Sequence, residues 1–144
     1  MYRCIVNTEL NSTNFLINDS GMSYLCDWEK PVISEPAQDL GHFLAPTTTF
    51  WKTDCILGPD EISSFIDAYI ASVAGRFDVS GLKERVLTYI MITCLRGLTW
   101  CSMAYVEYKN PDKLIRNEST EKKLDAYLSD DFLTKIELIF NSPH

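Results

Sequence analysis

The chain has 144 residues, 46% of them hydrophobic, with 20 acidic and 13 basic side chains and a formal net charge of −7 at pH 7. This length and composition are typical of one globular domain with a single core. The acidic balance argues against the positive field with which proteins bind nucleic acids or anionic membranes. Polar residues interrupt each apolar stretch before the roughly 18 residues that a spanning helix needs. The N-terminus also lacks a signal-peptide pattern, so we expect a soluble cytoplasmic protein without a membrane span.

Five cysteines are spaced irregularly along the chain, at Cys4, Cys26, Cys55, Cys94 and Cys101. The odd number, the absence of a C-x-x-C pair and the presence of only two histidines argue against a disulfide framework and against a zinc site. Each cysteine has apolar neighbours in the sequence. We therefore expect all five to be small buried residues.

The first part of the chain, up to about residue 58, consists of short apolar runs separated by Asn, Ser, Thr, Gly and Pro. This pattern predicts an irregular, β-rich head. A short strand is expected over 3–6. Two further strands, over 15–17 and 24–26, are expected to form a hairpin because the turn-forming residues 18–21 lie between them.

The head continues into the first predicted helices. Two prolines bracket an extended connector over 31–36, and residues 37–44 place apolar side chains on one helical face. We expect this short helix to stop at Pro46. The sequence Gly-Pro-Asp-Glu at 58–61 is typical of a helix start, and the apolar stripe that follows predicts a helix ending near Gly75.

The longest predicted helix covers residues 82 to about 108. Its apolar residues occur on nearly all sides, so we expect other helices to surround it at the centre of the fold. The sequence Asn-Pro-Asp at 110–112 should end it. One or two helices are predicted in the remaining tail, with Ser119 and Ser129 as N-caps.

Polar residues are concentrated where the predicted strands of the head end. A polar loop runs from residue 7 to Asn14 and contains Glu9, and Asp27 follows the hairpin. A hairpin can return its far end to the loop that precedes it, so these three side chains are expected to lie close together. Two carboxylates and an amide oxygen are hard ligands suited to Mg²⁺, and a carboxylate can accept a hydroxyl proton. The alternative is ordinary turn chemistry with a solvated glutamate.

The polar loop resembles the catalytic loop of kinases. Its pattern Asn7-x-Glu9-x-x-x-x-Asn14 has the spacing of H-x-D-x-x-x-x-N. Asp27, which follows a short hairpin, is similar to the metal-binding Asp of the D-F-G motif. Glu9 and Asn7 depart from the family pattern, because the family has Asp and His at these two positions.

Three further segments make the resemblance more specific than one to kinases in general. Residues 25–29 (L-C-D-W-E) and 35–44 (E-P-A-Q-D-L-G-H-F-L) are similar to the patterns of aminoglycoside phosphotransferases and choline kinase-like enzymes. Residues 95–100 (L-R-G-L-T-W) resemble a later core helix of that family. The resemblance covers residues 4 to 105 approximately.

The resemblance implies a fold class. It is α+β and mainly α, the C-terminal lobe of a protein-kinase-like fold, in one domain over 1–144. The catalytic loop and metal-binding hairpin would occupy 1–30, and a helical bundle would occupy 37–144. The Gly-rich loop and strand lysine of a kinase have no counterpart in this sequence. We therefore expect a lobe without its N-terminal nucleotide-binding partner, as an expressed fragment or the product of a truncated gene.

The resemblance also implies roles for individual residues. Asn14 and Asp27 would bind the Mg²⁺ that bridges the phosphates of ATP, and Glu29 would face the phosphates or the metal shell. Glu9 would be the catalytic base, and Asn7 would replace the motif histidine. Asp39 would be structural, since the family acid at this position holds the backbone of the catalytic loop.

The function implied is an ATP-dependent phosphotransferase that phosphorylates a small-molecule hydroxyl, with the lobe inactive by itself. The alternative is a degenerate, non-catalytic binding or regulatory module. A third hypothesis is a chance match in an unrelated helical bundle. Apolar surface left exposed without the missing lobe predicts a homodimer or a partner chain. His42 is expected at the core or its rim, and the larger aromatic residues are expected in the core: Trp51, Tyr69, Tyr89, Trp100 and Tyr105.

Overall fold

A computed structural model describes residues 2–110 and 117–141. Two small antiparallel sheets form the N-terminal part of this structure. Strand β1 (Cys4–Val6) pairs with β4 (Val32–Ser34), and β2 (Phe15–Leu16) pairs with β3 (Tyr24–Leu25). The predicted hairpin, β2–β3, is confirmed. The pairing of β4 with β1 was not predicted, because residues 32–34 are too short a run between two prolines to indicate a partner.

Six α-helices follow within the described residues. They are α1 (Pro36–Leu44), α2 (Pro46–Thr53), α3 (Pro59–Val73), α4 (Leu82–Lys109), α5 (Glu118–Tyr127) and α6 (Asp130–Asn141). The fold is thus α+β and mainly helical. Helix α2 was not predicted, because Pro46 after the predicted helix over 37–44 indicates only a stop. Proline also suits the first turn of a helix, where its missing N–H costs no hydrogen bond, and Pro46 begins α2 directly after the extended Ala45.

The two predicted N-caps of the tail have different outcomes. Ser129 caps α6, since its Oγ accepts the N–H of Phe132 at 3.3 Å. The prediction for Ser119 is wrong, because Asn117 has extended backbone and its side chain accepts the N–H of Ser119 at 3.0 Å. Helix α4 ends at Lys109 as expected, while Pro111 and Asp112 lie outside the described residues.

Helix α4 is shared by two hydrophobic clusters. The first cluster packs α1 and α3 on the N-terminal half of α4, and its buried residues include Leu40, Leu44, Ile62, Ile66, Leu82, Val86, Ile90 and Cys94. The second packs α5 and α6 on the C-terminal half, with Cys101, Ala104, Leu124, Tyr127, Phe132 and Ile136 buried. Because both clusters depend on α4, this helix fixes the position of α1 relative to the tail helices.

One face of α4 is exposed, which contradicts the expectation that other helices surround it. Its exposed apolar residues include Ile92, Leu95, Met103 and Val106, the last at 71% exposure. An apolar composition on all sides does not specify which sides are covered. By length and composition α4 could cross a bilayer, with a mean hydropathy of 1.3 over 18 residues, of which 22% are buried. Polar residues such as Thr93 and Arg96 interrupt this helix, as expected, but they do not lower its mean hydropathy below that of a spanning segment.

Helix α1 is fixed against α4 at two points. Glu35, which is 9% exposed, forms a 2.5 Å ion pair with Nε of Arg85 at the start of α1. One turn and a half later, Gly41 lies so close to α4 that an added Cβ would be 2.3 Å from Cβ of Tyr89. Glycine permits this approach because it has no side chain. The contact orients the face of α1 that carries Asp39 and His42.

The cysteines are only partly as expected. Cys94 and Cys101 are buried, and burial raises the pKa of both thiols to about 11. Cys4 and Cys26 are half-buried. Cys55 is exposed, contrary to the expectation, because it lies in the connection between α2 and α3.

Candidate functional site

The loop that leaves β1 is held by one carboxylate. Asp39 on α1 accepts the backbone N–H of Asn7 at Oδ2 (2.6 Å) and the N–H of Thr8 at Oδ1 (2.8 Å). Thr8 has φ +76°, a left-handed conformation that β-branched residues rarely adopt. Such strain costs about 1–3 kcal/mol and persists only where the surroundings enforce it. The two charge-assisted bonds from Asp39 supply that enforcement directly before Glu9.

The side chain of Asn7 joins this loop to the end of the hairpin. Asn7 is 2% exposed, and its Nδ2 donates to the backbone carbonyl of Asp27 at 2.7 Å. Its Oδ1 accepts the N–H of Glu9 at 3.2 Å. Asp27 itself has φ +64°, so its backbone also departs from the usual regions. The amide of Asn7 therefore fixes both segments that carry the candidate carboxylates.

Asn14 and Asp27 are in contact, as the sequence led us to expect. Asn14 is buried, and its Nδ2 donates to Oδ2 of Asp27 at 3.2 Å. Its Oδ1 accepts two hydrogen bonds from Asn11, from the backbone N at 2.9 Å and from Nδ2 at 2.7 Å. Nδ2 of Asn11 also donates to the carbonyl of Glu9 at 2.9 Å. Asn11, a residue that the sequence did not single out, thereby sets which way the Asn14 amide faces.

These contacts decide how well the residues fit a Mg²⁺ ion. The exposed carboxylate of Asp27 fits, since its Oδ1 has no hydrogen-bond partner among the described residues. Asn14 presents its nitrogen to Asp27 while both lone pairs of its oxygen face Asn11. Its role as a metal ligand stays a prediction and would require the amide to turn away from Asn11.

Across residues 2–110 and 117–141, no three His, Cys, Asp or Glu side chains converge as they would in an all-protein metal site. Mg²⁺ commonly takes one or two carboxylates and completes its shell with phosphates and waters.

Glu9 and Glu29 are exposed, and Glu29 follows Asp27 by two residues in the sequence. Glu29 forms a 3.0 Å ion pair with Lys30. The pKa of Lys30 is raised by its hydrogen bond to Glu29 and by the nearby charges of Glu29, Glu9 and Asp27. Carboxylates therefore dominate the local field at this end of the molecule, which favours a cation.

A cavity of about 550 Å³ opens beside Glu9, between α2 and α4. We call it the α2–α4 cavity. Trp51 of α2 meets Trp100 of α4 edge-to-face at 5.8 Å and 88°, and it meets Tyr127 in the same way at 5.5 Å and 81°. Trp100 is 50% exposed, so the expectation that it lies in the core is wrong. These three rings make one side of the cavity apolar.

Two cations line the α2–α4 cavity. Lys52 and Arg96 form no hydrogen bond or ion pair with another residue in the described part of the chain. Several other basic side chains are paired, as Lys83 is with Asp67 and Arg85 is with Glu35. Unpaired cations at a cavity wall can neutralise an anionic group of a ligand.

His42 lies on the wall between this cavity and the loop. Its Nδ1 is 2.8 Å from the carbonyl of Leu10, and because a carbonyl only accepts, Nδ1 carries the proton. Burial lowers the pKa of His42, and Arg96 adds to this effect. The bond to Leu10 and the charges of Glu9 and Asp39 act in the opposite direction. His42 is therefore a half-buried, neutral imidazole near neutral pH.

This pKa shift predicts a pH dependence of stability. The folded pKa lies below the unfolded value of 6.5, so the unfolded chain binds more protons as the pH falls. The stabilisation from neutral His42 is complete above the unfolded pKa and is lost as the pH falls through the folded pKa. We expect the urea midpoint of the wild type to decrease more than that of His42→Asn between about pH 7 and about pH 5. Parallel decreases in both proteins would contradict the assignment.

No protein-family model, curated protein or solved structure matches this chain. The candidate function therefore depends on the geometry of the loop and the cavity. Of the predicted residues, Asn7, Asn14, Asp27 and Asp39 form one hydrogen-bonded network, and Glu9 joins it through its backbone. The sequence did not indicate Asn11, His42, Lys52, Arg96 or Trp100 as site residues. Asn11 alone had a local signal, as an N-cap three residues before Asn14.

Proposed function

We propose that this chain is the metal- and acceptor-binding lobe of a phosphotransferase that moves a phosphoryl group from ATP to the hydroxyl of a small molecule. The single observation that carries the proposal is the contact between Asn14 and Asp27 in the network braced by Asp39. Residues far apart in the sequence meet there around a strained backbone, beside a cavity that begins at Glu9. Strained, over-determined loops of this kind cluster at functional sites.

Each residue has a role in this proposal. Asp27 holds Mg²⁺, which when bound neutralises charge on the phosphates of ATP. Asn14 orients the Asp27 carboxylate, and Asp39 and Asn7 hold the loop and the hairpin end at a fixed distance. Glu9 accepts the proton of a hydroxyl in the α2–α4 cavity. Glu29, two residues after Asp27, would face the phosphates or the metal shell.

The two cations of the cavity wall support the same function. Arg96 and Lys52 can compensate the negative charge that a hydroxyl compound gains when it is phosphorylated. Positioning and charge neutralisation supply most of the catalysis in phosphoryl transfer.

A second candidate, a non-catalytic binding module, is favoured by Glu9 and Asn7. Glu9 is longer by one methylene than the Asp of the family, and a displacement of about 1 Å can lower a rate roughly a hundredfold. The Asn7 amide donates to the carbonyls of Cys26 and Asp27, accepts the N–H of Glu9, and has no titratable group. The two candidates share the binding of Mg²⁺ and nucleotide and differ in turnover.

The binding step is tested by thermal melting with Mg²⁺ and ATP. A ligand at a hundredfold excess over its dissociation constant adds about 2.7 kcal/mol to stability. We expect a rise in melting temperature for the wild type, no rise for Asp27→Ala, and an unchanged rise for Asp19→Ala, whose carboxylate is exposed in the hairpin turn. A wild type that does not shift would contradict nucleotide binding by this chain. A shift that persists in Asp27→Ala would contradict the role of Asp27.

The location and partners of the chain are also proposals. We infer a cytoplasmic protein that binds neither nucleic acid nor membrane. The net charge of −7 disfavours phosphate surfaces, and α4, although apolar enough to cross a bilayer, contributes to both hydrophobic clusters. Exposed apolar residues on α4 and on the sheet of the head, such as Ile5 and Ile33, support association with a second copy. A monomer in light scattering at high concentration would contradict the dimer.

A further inference from the structure

His42 lines the α2–α4 cavity, and one nitrogen of its ring is an unused hydrogen-bond acceptor. With the proton of His42 on Nδ1, its Nε2 carries a lone pair. Nε2 has no hydrogen-bond partner within residues 2–110 and 117–141. In that part of the chain, every fully buried side-chain nitrogen or oxygen has a partner. Nε2 therefore retains some solvent-accessible surface. His42 lines both the α2–α4 cavity and a smaller cavity that shares Thr93 and Arg96 with it.

The surroundings keep this acceptor in place. The bond to Leu10 prevents the ring from flipping without losing a hydrogen bond. His42 follows Gly41, whose close approach to α4 fixes the position of α1. The charged groups that act on the imidazole are Glu9, Asp39 and Arg96, and the ring remains neutral near neutral pH because burial and Arg96 oppose protonation.

We propose that His42 is a substrate-binding residue: its Nε2 accepts a hydrogen bond from a hydroxyl of the molecule that occupies the α2–α4 cavity. The identity of this molecule as the phosphoryl acceptor rests on the proposed function. The unpartnered state of Nε2 is independent of that function. Glu9 lines the same cavity and is also an acceptor. The cavity thus selects a small ligand with two neighbouring donors, at least one of them a hydroxyl, and an apolar part that can face Trp51 and Trp100.

Two substitutions of His42 distinguish a ligand-binding role from a structural role. In His42→Asn the side-chain amide can replace Nδ1 and donate to Leu10, but nothing replaces Nε2. In His42→Gln the longer amide reaches the position of Nε2, but the bond to Leu10 is lost. A structural role for His42 predicts that Asn is tolerated and Gln is not. A binding role through Nε2 predicts that ligand affinity is kept by Gln and lost by Asn.

The test is an NMR titration of the ¹⁵N-labelled chain with ethane-1,2-diol and, separately, with 2-aminoethanol, without nucleotide. The chain contains only His42 and His144, so the imidazole resonances can be assigned by substitution. We expect a neutral wild-type ring protonated at Nδ1, with an Nε2 resonance that shifts saturably with at least one probe. His42→Asn should weaken that probe roughly tenfold, the effect of one hydrogen bond, as followed at the indole N–H of Trp51 and Trp100. His42→Gln should bind within about twofold of the wild type.

Three results would overturn the inference: a ring protonated at Nε2, no saturable shift with either probe, or equal affinities in the wild type and His42→Asn. The diol and the amino alcohol distinguish a second hydroxyl from an ammonium as the partner of Glu9. Because no nucleotide is present, this outcome is independent of the Mg²⁺–ATP melt. If the chain binds the diol but not Mg²⁺–ATP, the inference about His42 stands and the proposed phosphotransferase function is contradicted.

Discussion

Replacing Asp39 with alanine should lower the free energy of unfolding by about 3 kcal/mol, which corresponds to roughly 10 °C in melting temperature for a chain of this size. The substitution removes both acceptors of the Asn7 and Thr8 N–H groups. It also removes the contact that holds Thr8 at φ +76°. The loop should relax toward an ordinary conformation and carry Glu9 away from the cavity. Urea unfolding and the amide exchange rates of residues 7 and 8 measure the two effects.

Two variants act as controls for Asp39→Ala. Asp39→Asn keeps one acceptor oxygen and places an NH₂ group against the other N–H, so its loss should be intermediate. Asp19→Ala removes an exposed aspartate of the hairpin turn and should change stability by less than about 0.5 kcal/mol. If Asp39→Ala were as stable as Asp19→Ala, the carboxylate would not be holding the loop.

Replacing Gly41 with alanine should destabilise the protein by about 3 kcal/mol, because the new methyl group would overlap Tyr89. Its Cβ would lie 2.3 Å from Cβ of Tyr89 and 3.0 Å from the backbone carbon of that residue. Neither atom can move without displacing α4, and overpacking of a rigid contact costs about 1–3 kcal/mol or more. Helix α1 should tilt away from α4 and displace both Asp39 and His42. Thermal melting measures the loss of stability.

Gly58→Ala is the matched control for Gly41→Ala. An added Cβ at Gly58 would meet only Oε2 of Glu61 at 3.6 Å, an ordinary contact. Gly58 is the N-cap of α3, so its replacement should cost only about 1 kcal/mol. Equal losses in the two variants would contradict the close contact of α1 and α4. A Gly41→Ala protein that melts normally would do the same.

Part of the site was predictable because turn-forming residues lie next to its residues in the sequence. The turn formers at 18–21 indicated the hairpin, and the hairpin brings Asp27 back to Asn14. Contacts that depend on tertiary packing left no such signal. The orientation of the Asn14 amide follows from Asn11, and the open nitrogen of His42 follows from the carbonyl of Leu10. Both depend on whether the neighbouring group donates or accepts a hydrogen bond, and sequence spacing does not encode this.

Among the helices, too, features set by local sequence were predictable and features set by tertiary packing were not. The start of α3 was predictable because Gly58, Pro59 and Glu61 act within one turn. The start of α2 at Pro46 was not, because proline is equally compatible with the end of one helix and the beginning of another. For α4 the extent was predictable and the covered face was not, because an apolar residue such as Ile92 or Leu95 fits either a core or a surface.

The division of the site between early and late parts of the chain has a consequence for its evolution. The acidic network is built entirely from the segment between Asn7 and Asp39, whereas the aromatic and cationic walls of the cavity come from α2, α4 and α5. Substitutions that remodel the walls need not disturb the hydrogen bonds of the network. Descendants of such a chain could therefore exchange one ligand for another through changes in the later helices, while inheriting the same arrangement of carboxylates.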